Sequence, residues 1–306
     1  MKRVLTAVVL IPLVLLLVFK AHPALLLLAV GGVSYFCVRE FLEIAKGHGL
    51  RPLKIPLFAL VLLPYLAAPL LSFTEYSVWY LAVPLFVGLL FASPLVFLAG
   101  AMHRETLSEA LPDAAVSLLG FLYVGVGLFS VCYLRVRGHY GSLLILWLLV
   151  TVWSGDISAY YVGTYLGRHK LAPRISPNKT WEGAIASFAI ATGLGSAILL
   201  NLGPVLNWLF TYRLVLTEEL TGGGIPLTPV FPMWFALSAT AITNIAAQLG
   251  DLAESAMKRG ADLKDSGTIL PGHGGMLDRI DALLFAGPVA MLVFALFDLV
   301  TARVVS

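Results

Sequence analysis

The sequence predicts an all-α protein, a polytopic membrane helix bundle of about nine transmembrane helices with a cytoplasmic N-terminus and an external C-terminus. Of its 306 residues, 59% are hydrophobic and only 12% are charged, and the mean hydropathy is +0.92. A soluble domain carries about 25% charged residues. A helix needs roughly 20 consecutive apolar residues to cross the hydrocarbon core of a bilayer. This composition excludes a soluble globular fold.

Polar, glycine and proline clusters divide the chain into nine predicted spans. These spans cover residues 4–20, 24–45, 53–72, 78–100, 112–134, 142–166, 182–210, 230–258 and 282–301. Prolines interrupt the third and fourth spans, and proline kinks membrane helices but is tolerated in them. We expect an N-terminal transmembrane region over 1–140 and a C-terminal transmembrane region over 141–306 that carries the candidate site.

The distribution of basic residues predicts the orientation of these spans. If the N-terminus is cytoplasmic, 15 of the 20 lysines and arginines fall on the cytoplasmic side. Membrane proteins concentrate Lys and Arg in their inner loops, so this orientation is favoured over its inverse. The two most polar loops, 167–181 and 259–281, then face the cytoplasm. The sequence contains no block of like charges of the kind that binds nucleic acid, so we expect no nucleic-acid partner.

A polar stripe runs along the eighth predicted span. Its members are separated by four, three, four and three residues, which places them on one face of a helix. They are Asn244, Gln248, Asp251, Ser255 and Lys258, with Glu254 beside them. Such a face is either a polar seam between helices or the lining of a wet cavity. We favour the cavity because the stripe runs into a charged loop, and ionisable groups at membrane depth are candidate functional groups.

The loop after this stripe combines basic, glycine and acidic residues. Lys258, Arg259 and Lys264 supply positive charge, and Gly272, Gly274 and Gly275 allow backbone amides to approach an anion. Asp278 and Asp281 follow with helical spacing. Carboxylates beside basic residues suit a metal–triphosphate site, although a salt-bridged loop is the alternative. No second histidine lies near His273, so we expect a phosphate contact or a structural hydrogen bond there.

Two further segments place polar residues beside apolar spans. Asp156 lies within WSGDISAYYVG, and the segment SPNKTWEG contributes Ser176, Asn178 and Lys179. The second segment also reads as a helix start with Thr180 as its N-cap. A helix start explains Thr180 but requires neither Asn178 nor Lys179.

The run from Ser255 to Asp281 resembles the C-terminal signature of the phosphatidate cytidylyltransferases, the CDP-diacylglycerol synthases. The matching residues are Ser255, Met257, Lys258, Arg259, Lys264, Asp265, His273, Gly274, Gly275, Asp278, Arg279 and Asp281. The upstream WSGDISAY and SPNKTWEG segments are also similar to the family, so the resemblance covers roughly residues 150–285. The N-terminal half matches only as a series of apolar spans.

This resemblance implies a phospholipid-biosynthetic enzyme that converts CTP and phosphatidic acid to CDP-diacylglycerol and pyrophosphate. It implies Mg²⁺, with or without a second cation, and a homodimer. The distribution of basic residues predicts that the active site faces the cytoplasm, and a basic inner face fits a bacterial inner membrane. Carried over to this chain, metal binding falls on Asp251, Asp278 and Asp281, with Asp156 and Glu254 as weaker candidates. The catalytic candidates are Asp251, Asp278, Lys264 and Asp281. The substrate-binding candidates are Ser176, Asn178, Lys179, Ser255, Lys258, Arg259, Asp265, His273 and Arg279.

Two other functions use similar residues. A CTP-dependent polyprenol or phytol kinase would need the same metal and cytidine contacts, but the complete match through Asp278, Arg279 and Asp281 favours the cytidylyltransferase. An ion-coupled transporter could use the polar stripe. Transporters often show repeated halves, and this sequence shows no convincing repeat.

Overall fold

The computed structural model of the chain describes residues 2–71, 75–135, 137, 140–212, 230–269, 272 and 274–305, and most of them are helical. The helices are α1 (Lys2–Lys20), α2 (Pro23–Gly47), α3 (Lys54–Leu71), α4 (Glu75–Ala101), α5 (Leu107–Gly120), α6 (Gly127–Arg135), α7 (Gly141–Tyr165), α8 (Trp181–Leu200), α9 (Leu202–Thr211), α10 (Met233–Gly260) and α11 (Leu277–Val305). A π-helical turn, Phe121–Val126, joins α5 to α6, and a hairpin of β1 (Lys170–Ala172) and β2 (Ser176–Thr180) follows α7.

The helices confirm an all-helical integral membrane protein, but not the number of spans. Each predicted span coincides with one helix, except for 112–134, which covers α5, the π-helical turn and α6, and 182–210, which covers α8 and α9. Among the described residues, six helices are long and apolar enough to cross a membrane. They are Pro23–Gly47, Leu81–Ala101, Leu107–Arg135, Gly141–Tyr165, Trp181–Leu200 and Leu277–Thr301. The predicted count of nine and the predicted orientation are therefore not confirmed. Helix α10 is not among the six because its amide and carboxylate side chains lower its hydropathy.

The chain forms two compact units. The first contains residues 1–17, 21–129 and 256–280, and the second contains 18–20, 130–255 and 281–306. This division differs from the predicted boundary near residue 140 because the segment 256–280 belongs with the N-terminal helices. The physical reason is a set of hydrogen bonds from this segment to Glu40 on α2.

In the first unit, α2, α3, α4 and α5 pack against their neighbours in chain order. Leu57, Tyr65 and Phe97 are fully buried in its core, and the rings of Phe86 and Phe129 stack with their centroids 3.9 Å apart. Dispersion and area burial therefore stabilise the core of these helices.

In the second unit, α7 packs along α8, and polar side chains join both helices to α10. The Trp147 indole donates to Thr240 Oγ1 at 3.1 Å, and the Asn244 amide donates to Ser187 Oγ at 3.1 Å. Small residues let the helices approach closely here, as is usual for helices packed in membranes. A Cβ built on Gly155 lies only 2.5 Å from Asn244 Nδ2 and 2.8 Å from Ser187 Oγ.

We expect Gly155→Ala to destabilise the protein by about 1–3 kcal/mol because the added methyl group overpacks this contact. Thermal unfolding of purified protein in detergent would measure the effect. Gly193→Ala on α8 is the matched control, since its Cβ meets no heavy atom within 4 Å. A helical alanine there should maintain or raise stability by about 0.5–1 kcal/mol. Equal melting temperatures for both variants would contradict the close approach at Gly155.

Candidate active site

The hairpin leads directly into α8, and the junction is fixed by local capping. The strands are antiparallel, with Lys170 opposite Thr180. Thr180 Oγ1 accepts a hydrogen bond from the Gly183 amide at 3.2 Å, so Thr180 is the N-cap of α8, as predicted. Glu182 in the first turn accepts from the His169 backbone amide and contacts His169 Nδ1 at 2.6 Å. This junction holds β2 and the side chains of Asn178 and Lys179 in place.

A cavity of about 570 Å³ lies within the second unit. Its polar lining comes from three parts of the chain: Asp156 on α7, Asn178 and Lys179 on β2, and Gln248 and Asp251 on α10. The sequence predicted each of these segments to carry functional residues, and the fold brings them to one cavity. Ser176 lies two residues before Asn178, at the start of the same strand.

An ion pair joins the hairpin to α10 within this cavity. Lys179 Nζ lies 2.6 Å from Asp251 Oδ2, and the two side chains are 26% and 33% exposed. Because both groups are partly solvated, each can exchange its partner for a bound ligand at small cost. An ammonium and a carboxylate at one opening suit a ligand that brings both phosphate oxygens and a bound cation.

The polar stripe of α10 serves both the cavity that the sequence favoured and the helix seam that was its alternative. Asn244 is buried and belongs to the seam with Ser187. The Gln248 amide donates to Asn244 Oδ1 at 2.8 Å and to the Ala184 carbonyl at 3.3 Å, and Gln248 also lines the cavity. One turn later, Asp251 lines the cavity as well. The stripe therefore begins as a helix seam and continues as a wall of the cavity, while its last member, Lys258, pairs with Asp278.

Four carboxylates of the second unit interact electrostatically around Asp251. Asp156 and Asp281 each interact with Asp251, and Asp281 also interacts with the fully buried Glu254. Within the described part of the chain, no three carboxylate, histidine or cysteine side chains lie close enough to hold a metal ion by themselves. Mg²⁺ commonly takes one or two carboxylates together with waters and substrate phosphates. The donor chemistry around Asp251 fits that mode of binding, and Ser255 follows one turn further along α10.

Asp278 and Lys258 form a second charged group, in the first unit. Lys258 Nζ lies 2.5 Å from Asp278 Oδ1, and the two side chains are only 11% and 5% exposed. The Asp278 carboxylate also accepts hydrogen bonds from the amides of Ser266, at 3.0 Å and 3.1 Å, and Gly275, at 2.7 Å. Both oxygens of Asp278 therefore have donors, and metal binding by Asp278 stays a prediction.

Four charged signature residues of the first unit are exposed, and one of them, Arg259, donates to the Leu263 carbonyl at 3.3 Å. These exposed residues are Arg259, Lys264, Asp265 and Arg279. Gly272 and Gly274 have φ angles of +79° and +78°, a conformation that glycine adopts without strain. His273, predicted as a substrate contact, lies outside the described residues.

Sequence reasoning missed Glu40 on α2. Its carboxylate accepts hydrogen bonds from Ser266, Met276 and Leu277, so it contacts the signature segment directly. The signal was present, since a carboxylate inside an apolar helix is a candidate functional group.

Comparison with known proteins identifies the family. The sequence model of the Cytidylyltransferase family matches residues 1–297. The phosphatidate cytidylyltransferase of Bacillus subtilis (strain 168) is 33% identical over 302 residues, which are 97% of this chain and 98% of that protein. The phosphatidate cytidylyltransferase of Thermotoga maritima is 34% identical over 224 residues, 70% of this chain and 75% of its own. That of Brucella abortus (strain 2308) is 38% identical over 178 residues, 58% of this chain and 56% of its own. The chain belongs to the phosphatidate cytidylyltransferase family.

Proposed function

We propose that this chain transfers the cytidylyl group of CTP to phosphatidic acid, giving CDP-diacylglycerol and pyrophosphate. The observation that carries the proposal is the cavity in which Asp156, Lys179 and Asp251 meet, because these residues lie in segments that resemble the family. The similarity of nearly the whole chain to a phosphatidate cytidylyltransferase supports it.

In this reaction a phosphate oxygen of the lipid attacks the α-phosphorus of CTP. A new P–O bond forms, the bond to the β-phosphate breaks, and pyrophosphate leaves. Both reactants are anions, and the lipid phosphate is already a nucleophile. The protein therefore has to position the reactants and neutralise charge. Lys179, which lines the cavity, would hold phosphate oxygens there, and the exposed Arg259 and Lys264 stay predicted phosphate contacts.

Mg²⁺ belongs to this proposal as the cofactor. Asp251, with one of its electrostatic neighbours Asp156 and Asp281, would hold it together with waters and substrate phosphates, and Glu254 stays a weaker candidate. When bound, the ion supplies positive charge that offsets the charge of the leaving pyrophosphate. Asp278 and a second cation stay predictions from the family resemblance.

We also propose that the protein is a homodimer in a bacterial inner membrane. Each protomer would cross the membrane nine times, with a cytoplasmic N-terminus and an external C-terminus. The excess of basic residues in one set of loops supports this orientation. In spheroplasts, a membrane-impermeant maleimide should not label Arg174→Cys on the exposed hairpin turn until the membrane is opened. Labelling of intact spheroplasts would contradict a cytoplasmic cavity.

The reaction is tested with purified protein in detergent, cytidine-labelled CTP, phosphatidic acid and Mg²⁺. We expect label to enter the organic phase, and EDTA to abolish the transfer by removing the cation. Release of CDP without label in lipid would overturn the proposal in favour of the kinase. A folded protein that binds no CTP would point to the transporter.

A further inference from the structure

Glu40 is an acidic residue in the apolar helix α2, and its side chain is buried. Only 4% of the residue is exposed. A buried carboxylate is costly unless hydrogen-bond donors surround it. Nothing in the reaction described above uses Glu40, so its burial needs another explanation.

Three donors surround this carboxylate, and all of them come from the segment that carries the family signature. Glu40 Oε1 accepts from the Met276 amide at 2.9 Å. Glu40 Oε2 accepts from the Leu277 amide at 2.7 Å and from Ser266 Oγ at 2.7 Å. The contacts join residues more than 220 positions apart, so Glu40 ties α2 to Ser266 and to the start of α11.

These bonds complete the N-terminus of α11. The first amides of a helix have no partner within the helix and require other acceptors. Here Asp278 accepts from the Gly275 amide, Glu40 from the next two amides, and Ser266 Oγ from the Asp278 amide at 3.3 Å. A negative charge at this position is also favourable with respect to the helix dipole. Glu40 therefore fixes where α11 begins.

The loop closes tightly around the Glu40 carboxylate. A Cβ on Gly267 would lie 2.6 Å from Glu40 Oε1, and a Cβ on Gly275 would overlap Glu40 Oε2. The C-terminal end of α2 makes further contacts with the same segment, since His48 Nε2 lies 2.9 Å from the Met257 carbonyl. Gly267 and Gly275 therefore have no room for a side chain beside Glu40.

We infer that Glu40 is a positioning residue for cytidylyl transfer, acting through Ser266 on the Lys258–Asp278 pair. Ser266 carries the connection, because its hydroxyl donates to Glu40 while its amide donates to Asp278. The inference rests on the proposed function. A displacement of about 1 Å at reacting groups can lower a rate about 100-fold, so a charge that sets this geometry affects turnover.

Glu40→Gln tests the inference with an isosteric side chain. One carboxylate oxygen becomes an NH₂ group that faces donors, so either the Met276 amide or the Leu277 amide loses its acceptor. We expect kcat per folded molecule to fall at least about tenfold, while KM for CTP changes less than about threefold. The control is Glu43→Gln on the same helix, where the side chain is 67% exposed and pairs with Lys46 at 3.8 Å. This control should match the unsubstituted chain.

A second variant decides the matter if Glu40→Gln does not fold. Ser266→Ala removes only the hydroxyl that links Glu40 to the Asp278 amide, and we expect kcat to fall at least about threefold with unchanged chromatographic behaviour. A lowered melting temperature with normal kcat and KM in whichever variant folds would overturn the inference, because Glu40 would then act on stability alone. Failure of the unsubstituted chain to label lipid would instead overturn the proposed function.

Discussion

Asp251→Asn is expected to lower kcat by at least about 100-fold, the scale seen when one charge-stabilising group is removed from an active site. The substitution preserves shape but removes the charge that faces Lys179 at 2.6 Å and interacts with Asp156 and Asp281. The Mg²⁺ concentration needed for half-maximal activity should rise as well, because a carboxylate ligand is lost. Steady-state turnover of CTP and phosphatidic acid against Mg²⁺ concentration measures both effects.

Asp298→Asn is the matched control for this substitution. Asp298 lies in the same unit and forms an ion pair with Arg137 at 2.5 Å, but it does not line the cavity. The turnover of the Asp298→Asn variant should stay within about twofold of that of the unsubstituted chain, since ion pairs with an exposed partner contribute little. The double variant Lys179→Met with Asp251→Asn should raise the activation free energy by less than the sum of the two single rises, because the two groups interact. Near-normal turnover in Asp251→Asn would remove Asp251 from the active site.

Lys258→Met is expected to have the largest effect on stability. It leaves the Asp278 carboxylate, only 5% exposed, without its cationic partner. Removing one partner of a buried ion pair typically costs about 3–5 kcal/mol, because an uncompensated charge stays buried. Thermal unfolding in detergent should therefore show a much lower melting temperature, and turnover should fall with it.

Two further variants separate charge burial from a general effect of substitution. Arg259→Met changes the next residue, which is exposed, and should alter the free energy of unfolding by less than about 0.5 kcal/mol. Lys258→Met with Asp278→Leu removes both charges and should recover part of the lost stability without recovering activity. If Lys258→Met has the same melting temperature as the unsubstituted chain, Asp278 does not carry a buried charge that depends on Lys258.

The sequence determined the features that depend on local patterns. Long apolar runs identified an integral membrane protein, and each predicted span coincides with a helix or helix pair because hydropathy is a property of consecutive residues. Thr180 was predictable as the N-cap of α8 because capping involves residues three positions apart. Asp156, Lys179 and Asp251 were found because polar groups in apolar surroundings are conspicuous.

Only the tertiary structure decided how distant residues combine. The stripe on α10 could serve a seam or a cavity, and its division between Asn244 and Asp251 depends on where Ser187 of α8 lies. The contact between Glu40 and Ser266 joins residues 226 positions apart. A carboxylate in an apolar helix indicates that it must have partners, but helix periodicity does not say which ones. Those partners are set by the packing of α2 against the loop before α11, and that packing exists only in the folded chain.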